Sequence, residues 1–272
     1  MFQGHYGPAG VIHYFFPDVS LVWLMISTQL IDIVYFSLQV LCKTLCQMNV
    51  QECSYPFICH EYATFNVERM RKNAVFPSDI HSEYTHSLTG SLALALIFTI
   101  LYRMFQHSTT TTRTNQNHRS FWSLFCILFL GVVSHWVLDV LVHRPDVTIF
   151  PPFTTAMIGL GTWENWSKWG NTWLEWFFVW LGMIGILAAR ARANKLDRTF
   201  WLAFVVYGIS ATGLNWFAYF GDDTSERADQ VVDGAAMSPD LVPLISVLYV
   251  FAFSVSYYLG SNNMKSETKK VD

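Results

Sequence analysis

The chain has 272 residues, of which 52% are hydrophobic, 17% aromatic and only 14% charged, with a formal net charge of −3. Soluble domains carry about 25% charged residues. The charge deficit and the long apolar runs therefore exclude an ordinary soluble protein and indicate a polytopic membrane protein. The five cysteines are odd in number and include no C-x-x-C pair, which argues against a zinc ribbon or a redox motif.

The first predicted membrane span is residues 21–41, and the segment before it allows two interpretations. Residues 9–16 are mostly apolar, and a Pro-Asp-Val-Ser turn follows that would cap the next helix. In one interpretation, residues 1–18 are a surface segment. In the other, residues 5–16 form a short re-entrant helix that folds back against the first half of the span and sets His5 beside Asp32.

Asp32 lies a little past the middle of the first span, inside the run Gln-Leu-Ile-Asp-Ile. A lone carboxylate in hydrocarbon must be protonated, paired with a partner or bound to a metal ion. We therefore predict that Asp32 belongs to a site.

Residues 42–83 form a mixed polar segment that is too long to be a plain connector, and we expect it to cap one membrane face. Within this segment, Cys53 and Cys59 could form a disulfide if the cap faces an oxidising space. The second span opens at residues 84–90, which places His86 at the entrance of its helix, on the face where the first span ends. Residues 106–120 are polar and rich in Thr and Asn, and we predict a disordered linker there.

The third span, residues 121–143, carries His135, Asp139 and His143 at steps of four residues. On a helix of about 3.6 residues per turn, these side chains form one file along one face. Two imidazoles and a carboxylate are ligands for a divalent cation, and the alternative requires three separately satisfied polar groups on one stripe. Because the second and third spans run in opposite directions, the file and His86 come to the same end.

Three further spans are predicted at residues 172–189, 199–219 and 241–260, followed by a polar tail at 261–272. Tryptophans at steps of three or four between Trp163 and Trp180 indicate an interfacial aromatic belt, with a sugar-stacking platform as the alternative. Six spans place both termini on the same side of the membrane, and the positive-inside rule makes that side cytoplasmic. That side collects ten of the seventeen basic residues, namely Arg103, Arg113, Arg119, Arg190, Arg192, Lys195, Arg198, Lys265, Lys269 and Lys270. The expected fold is a single all-α membrane domain, residues 1–272, a polytopic bundle of about six transmembrane helices.

Six side chains are the predicted metal ligands: His5, Asp32, His86, His135, Asp139 and His143. Imidazole and carboxylate together suit zinc, and also manganese or iron. Such a site would activate water for attack on an ester or phosphodiester. Asp32 or Asp146 could be the general base, and spacing does not separate that role from a ligand role. The alternative for Asp146 is that it pairs with Arg144 or caps a turn.

These residues resemble those of a known family, the bacterial inner-membrane proteins classed as metal-dependent hydrolases. The resemblance covers most of residues 1–165. It is carried by the runs Gly4-His5-Tyr6-Gly7, Gln29-Leu30-Ile31-Asp32, Tyr84-Thr85-His86-Ser87-Leu88, Ser134-His135-Trp136-Val137-Leu138-Asp139, His143-Arg144-Pro145-Asp146 and Gly159-Leu160-Gly161 with Trp163 and Asn165. It implies a helical membrane bundle with a His/Asp metal site, distantly similar to zinc phospholipase C. The 42–83 segment and the Thr/Asn-rich linker depart from that pattern and look like elaborations.

The sequence thus predicts a membrane-bound hydrolase with a divalent metal, zinc by preference, at the non-cytoplasmic membrane interface. The expected partners are the lipid bilayer and a lipid-like or phosphodiester substrate, with no nucleic acid. A transporter or permease that uses the same His/Asp cluster as a proton or cation path is the alternative, and a non-catalytic membrane scaffold is a third. A polar path across the membrane looks incomplete, because spans four to six add little beyond Glu175 and Asn215.

Overall fold

The computed structural model describes residues 3–45, 59–72, 74–109, 119–154 and 156–220. The described chain is mostly α-helical, as the sequence predicts. It forms two compact units. The first takes in the described residues within 3–26, 64–78 and 163–220, and the second those within 27–63 and 79–162.

The helices follow one another with short strands between them. A 3-10 turn at Gly4–Tyr6 precedes α1 (Gly7–Phe15), α2 (Leu21–Leu45), α3 (Val67–Arg71), α4 (Leu88–Thr109), α5 (Phe121–Val142), α6 (Thr162–Asn165), α7 (Lys168–Arg192) and α8 (Arg198–Phe220). The strands are β1 (Tyr62–Phe65), β2 (Ser78–His81), β3 (Val147–Thr148) and β4 (Met157–Ile158), which form two two-stranded sheets, β1 with β2 and β3 with β4.

Four helical stretches are long and apolar enough to cross a membrane: Leu21–Cys42, Leu88–Gln106, Phe121–Val142 and Lys168–Arg192. They coincide with the first four predicted spans. Helix α8 forms where the fifth span is predicted and contains the apolar stretch Phe200–Gly213. The sixth predicted span, 241–260, and the polar tail, 261–272, lie outside the described residues.

Two helices extend beyond their predicted ends. Helix α2 continues to Leu45, into the predicted cap segment, and α4 continues to Thr109, into the predicted linker. Gln106 on the extended part of α4 donates a side-chain hydrogen bond of 3.0 Å to the hydroxyl of Tyr102, one turn earlier. The first residues of the predicted disordered linker are therefore helical, and residues 110–118 lie outside the described part of the chain.

In the first unit, α1 packs against α7 at a contact that only glycines permit. A Cβ atom added to Gly7 would overlap the backbone of Phe178, and one added to Gly10 would overlap the backbone of Gly182. The short N-terminal helix of the second interpretation is thus present. Its packing partner is α7, whereas the sequence predicted the first half of the first span. The spacing of residues within α1 does not identify the helix that it packs against, because the contacting residues of α7 are distant from α1 in the sequence.

The tryptophan stripe lies on the same unit. Trp166, Trp169, Trp173 and Trp180 are exposed on or just before α7. Trp163 is buried and stacks on Phe76, with 4.6 Å between the ring centroids. Four members of the stripe therefore face outward, whereas Trp163 packs inside.

In the second unit, α4 packs against α5, and Ile31 of α2 joins Ala95 and Val132 in a fully buried apolar cluster. Gly131 of α5 lies so close to the side chain of Ser27 on α2 that no Cβ would fit between them. This close approach brings the next turns of α2 and α5, which carry the predicted site residues, to the same region of the unit.

A disulfide joins Cys42 to Cys59, with 5.2 Å between the two Cα atoms. The predicted pairing of Cys53 with Cys59 is therefore wrong, and Cys53 itself lies outside the described residues. The partner of Cys59 is at the end of the first span and not in the polar loop, so proximity in sequence misleads. The bond ties the segment that follows Cys59 to α2.

Candidate metal centre

The second unit brings together Asp32 from α2, His86 from just before α4, and His135 and Asp139 from α5. Nε2 of His135 lies 3.2 Å from Oδ2 of Asp139 and 3.6 Å from Oδ1 of Asp32. Nε2 of His86 lies 3.2 Å from the same Asp32 oxygen and 3.8 Å from the same Asp139 oxygen. The predicted convergence of His86 with the α5 file is confirmed in this geometry.

The cluster is almost fully enclosed by protein. The side chains of His135, Asp139 and His86 are 0%, 3% and 4% exposed, whereas that of Asp32 is 18% exposed. Buried carboxylates are costly unless they are paired or bind a cation. Asp32 therefore lies on the more exposed side of the cluster, and Asp139 lies on its buried side.

The donor set fits a metal ion of the size of zinc. Ligand atoms on a tetrahedral zinc with bonds of about 2.0 Å lie about 3.3 Å apart. One ligand atom from each of His86, His135 and Asp139 falls within 4.8 Å of the others, and the individual N–O distances run from 3.2 to 3.8 Å. Imidazole nitrogen with carboxylate oxygen is also the ligand mixture that zinc takes in proteins.

The orientation of His135 is set by its second ring nitrogen. Nδ1 lies 2.7 Å from the carbonyl oxygen of Thr28, which only accepts, so Nδ1 carries a proton and donates it. The lone pair of Nε2 in the neutral ring then points at the oxygens of Asp32 and Asp139. Two acceptors face each other in that state, so the geometry requires either a second proton on the ring or a cation between them.

His86 is oriented by side chains that the sequence analysis does not single out. Its Nδ1 lies 3.0 Å from Oγ1 of Thr85, and that hydroxyl donates to Oε2 of Glu61. Oε1 of Glu61 accepts two backbone N–H bonds of 2.7 Å, from Tyr84 and Thr85. Glu61 is 2% exposed. Nothing in the sequence distinguishes it from the other acidic residues of the polar segment, whereas Thr85 adjoins a predicted ligand.

His143 reaches the edge of the same cluster. Helix α5 ends at Val142, so His143 caps the helix with an extended backbone and does not lie on its face. The helix ends here because Pro145 disfavours helical conformation in the residue before it. Nε2 of His143 nevertheless lies 3.7 Å from Oδ1 of Asp139. The predicted file of three is therefore two helical residues and one cap residue.

Asp146 contacts His143 and Arg144 rather than the centre of the cluster. Its Oδ1 lies 3.1 Å from Nδ1 of His143, and its Oδ2 accepts a hydrogen bond of 3.1 Å from Nε of Arg144. The guanidinium of Arg144 also lies 3.0 Å from Oδ1 of Asp79. The pairing of Asp146 with Arg144, one of the alternatives left open by the sequence, is what the structure has.

His5 belongs to the first unit, where it lies in the 3-10 turn and is 1% exposed. The backbone N–H of its neighbour Gly4 donates a hydrogen bond of 2.6 Å to Oε2 of Glu175, a fully buried carboxylate on α7. Glu175 thus anchors the turn that carries His5. The predicted placement of His5 beside Asp32 would join the two units, and it stays a prediction.

Residues 9–217 match the model of a family described as YdjM inner membrane protein. Neither the curated proteins nor the solved structures contain a match to this chain. The match covers the four candidate spans and every predicted ligand except His5.

Proposed function

We propose, from the premise that this chain belongs to the YdjM inner membrane protein family, that it is a membrane-embedded metal-dependent hydrolase. Asp32, His86, His135 and Asp139 would hold one divalent cation, zinc in preference to magnesium because two of the four donors are imidazoles. The observation that carries the proposal is the approach of Nε2 of two histidines to the same two carboxylate oxygens. His143 would complete the proposed ligand set in the second unit, and the ligand role of His5 stays a prediction from the sequence.

A cation at this position would supply Lewis-acid chemistry and activate water for attack on an ester or phosphodiester. Three aspartates of the chain have different proposed roles at this centre. Asp139 lies within 4 Å of three imidazoles and would be the carboxylate that these imidazoles share in the proposed centre. Asp32 has the more exposed side chain, 18% against 3% for Asp139, and is the better candidate for a general base that takes a proton from water. Asp146, the other predicted base, is assigned to holding His143, since both of its oxygens are engaged.

The substrate class follows from the depth of the cluster. His86 precedes the first residue of α4, and His143 follows the last residue of α5, so both spans end at the cluster. This position is at the membrane interface, where lipid headgroups are found. We therefore propose a lipid-derived ester or phosphodiester as the substrate.

The same interface is proposed to be the non-cytoplasmic one. The charge bias of the loops favours that orientation. The disulfide between Cys42 and Cys59 supports it, because structural disulfides persist in oxidising compartments. Cys42 ends the first candidate span, on the side where the second begins, so the bond and the cluster share one membrane face.

The rival proposal, a transporter with a polar path, has less support in the described part of the second unit. The layer next to the cluster contains the apolar side chains of Ile31, Ala95 and Val132. The buried hydroxyls of Ser91 and Thr99 on α4 each donate to a carbonyl of their own helix, one turn earlier. These groups are satisfied locally and do not extend the cluster into the span.

The test is metal analysis of the purified protein by plasma emission, comparing wild type with His135→Gln and His13→Gln. His13 is the matched control: it is 5% exposed and bonds a backbone carbonyl, that of Val19, as His135 bonds that of Thr28. We expect stoichiometric metal in wild type and in His13→Gln, and loss of metal in His135→Gln. Equal metal content in all three proteins, or none in wild type, would overturn the proposal.

A further inference from the structure

Glu61 is a buried carboxylate outside the membrane spans, and its two oxygens accept three hydrogen bonds from the two residues before His86. Oε1 accepts the backbone N–H groups of Tyr84 and Thr85 at 2.7 Å each, and Oε2 accepts the hydroxyl of Thr85. A carboxylate that receives several hydrogen bonds is stabilised in its charged form. Glu61 therefore fixes the backbone and the side chain immediately before a candidate metal ligand.

The direction of each hydrogen bond in this group is determined by chemistry. An ionised carboxylate only accepts, so the single proton of the Thr85 hydroxyl is committed to Glu61. Oγ1 of Thr85 can then only accept from Nδ1 of His86, 3.0 Å away. Nδ1 of His86 must carry a proton, and the neutral ring is left with its lone pair on Nε2, the atom that faces Asp32 and Asp139.

We infer that Glu61 and Thr85 are positioning residues of the metal centre, which hold His86 in the tautomer that presents Nε2 to the cation. The inference rests on the proposed function and names side chains outside the ligand set. His135 obtains the same tautomer from a backbone carbonyl, that of Thr28. Of the two histidines that approach both Asp32 and Asp139, His86 is thus the one whose protonation site is under side-chain control.

The Cys42–Cys59 disulfide secures this arrangement, because Glu61 follows Cys59 by two residues. Cys42 lies on α2, the helix that also carries Asp32, so the bond ties the positioning carboxylate to the helix of a ligand. Tyr35 on the same helix packs its ring edge-on against the ring of His86, with centroids 4.9 Å apart. The tilt of the His86 ring is therefore held by α2 and its proton by the Glu61–Thr85 pair.

Substitutions that preserve shape separate positioning from simple structural support. Thr85→Val keeps the branched side chain but removes Oγ1, whereas Thr85→Ser keeps Oγ1. Glu61→Gln keeps the oxygen that accepts the backbone N–H groups, but its amide nitrogen donates to Thr85. The Thr85 hydroxyl must then donate to Nδ1 of His86, which forces the ring proton onto Nε2 and blocks the ligand atom.

The experiment measures zinc affinity by chelator competition in purified full-length wild type, Thr85→Val, Thr85→Ser and Glu61→Gln. Loss of a partner that orients a metal-bound histidine weakens binding by about 10–100-fold. We expect losses of that size in Thr85→Val and Glu61→Gln, and near-wild-type affinity in Thr85→Ser. Nitrogen-15 shifts of the His86 ring in the metal-free proteins should report a protonated Nδ1 in wild type and Thr85→Ser, and a protonated Nε2 in Glu61→Gln.

Different results would overturn the positioning role of Glu61 and Thr85 and the proposed function. Zinc binding by wild type that is equally tight in Thr85→Val and Glu61→Gln would overturn the positioning role and leave the proposed function intact. Absence of zinc binding in wild type would overturn the proposed function, and the nitrogen-15 shifts would still decide the tautomer of His86. If Glu61→Gln fails to fold, the pair Thr85→Val and Thr85→Ser gives the decision alone.

Discussion

The two units of this chain present their histidines differently. In the first unit, His5 lies in a 3-10 turn next to a helix that packs by glycine contact, and His13 on that helix contacts the backbone carbonyl of Val19 through its ring. In the second unit, ring hydrogen bonds orient His86 and His135 so that Nε2 of each lies within 4 Å of the same two carboxylate oxygens. A ring hydrogen bond fixes which nitrogen is free, and the nearby carboxylates allow that nitrogen to share a cation. The second unit thereby combines both requirements of a metal site.

The two units share one device, a buried carboxylate that holds the backbone beside a histidine. Glu175 accepts from the N–H of Gly4, which precedes His5, and Glu61 accepts from the N–H of Thr85, which precedes His86. Neither carboxylate has been predicted as a ligand. The comparison suggests a common way of fixing the backbone beside a histidine. The variants that follow test what holds each unit together around its histidines, in order of decreasing effect.

Asp139→Asn should have the largest effect, because Asp139 lies near the Nε2 atoms of His86, His135 and His143. The substitution keeps the shape and removes the charge. We expect zinc affinity to fall by more than the roughly 100-fold upper range for partners outside the ligand set. Chelator competition measures the loss. Asp79→Asn, which removes a carboxylate that pairs with the guanidinium of Arg144, is the control, and an equal loss in both would contradict the role of Asp139 as a shared ligand.

Cys59→Ser should come next, through stability. The disulfide closes a separation of 17 residues, and a loop of that size contributes about 3 kcal/mol by restricting the unfolded chain. We expect a lower midpoint of thermal unfolding in detergent. Cys126→Ser is the matched control, because Cys126 is a free and exposed cysteine. The same midpoint in Cys59→Ser and Cys126→Ser would argue against the bond.

Gly10→Ala tests the packing of the first unit. The added methyl group would meet the backbone of Gly182, which cannot move aside as a side chain can. Overpacking of this kind costs about 1–3 kcal/mol. Gly213→Ala is the control, since no atom of the described part of the chain lies within 4 Å of a Cβ there. Thermal unfolding should separate the two variants, and equal midpoints would contradict the close contact of α1 with α7.

Asp146→Asn should have the smallest of these effects. It removes the charge that accepts from Nδ1 of His143, a ligand at the edge of the cluster, and leaves His86 and His135 untouched. We expect zinc affinity to fall by about tenfold, the lower end of the range for such partners. A loss as large as that of Asp139→Asn would place Asp146 among the ligands, and the assignment made here would be wrong.

The spacing of apolar and ionisable residues predicted much of this arrangement. The first four spans follow from apolar runs, and the convergence of His86 with His135 and Asp139 follows from two antiparallel helices and a step of four residues. These features depend on helical geometry alone, and the spacing of residues in the sequence determines which side chains share a face of a helix. The end of α5 before His143 was also predictable, because Pro145 disfavours helical conformation in the residue before it.

Contacts between distant segments were not predictable in the same way. Glu61 is one acid among several in a polar segment, and only the fold reveals that it caps the residues before His86. The pairing of Cys42 with Cys59 and the contact of α1 with α7 likewise join positions whose separation in sequence carries no periodic signal. Side chains that position a ligand therefore escape sequence reasoning more easily than the ligands themselves.

The most direct test of the central claim is zinc K-edge X-ray absorption of the purified protein after dialysis against buffer without zinc. The account predicts retained zinc with a shell of nitrogen and oxygen at about 2.0–2.1 Å and the outer scattering of at least two imidazoles, those of His86 and His135. Zinc that is lost on dialysis, or an oxygen shell without imidazole scattering, would contradict it.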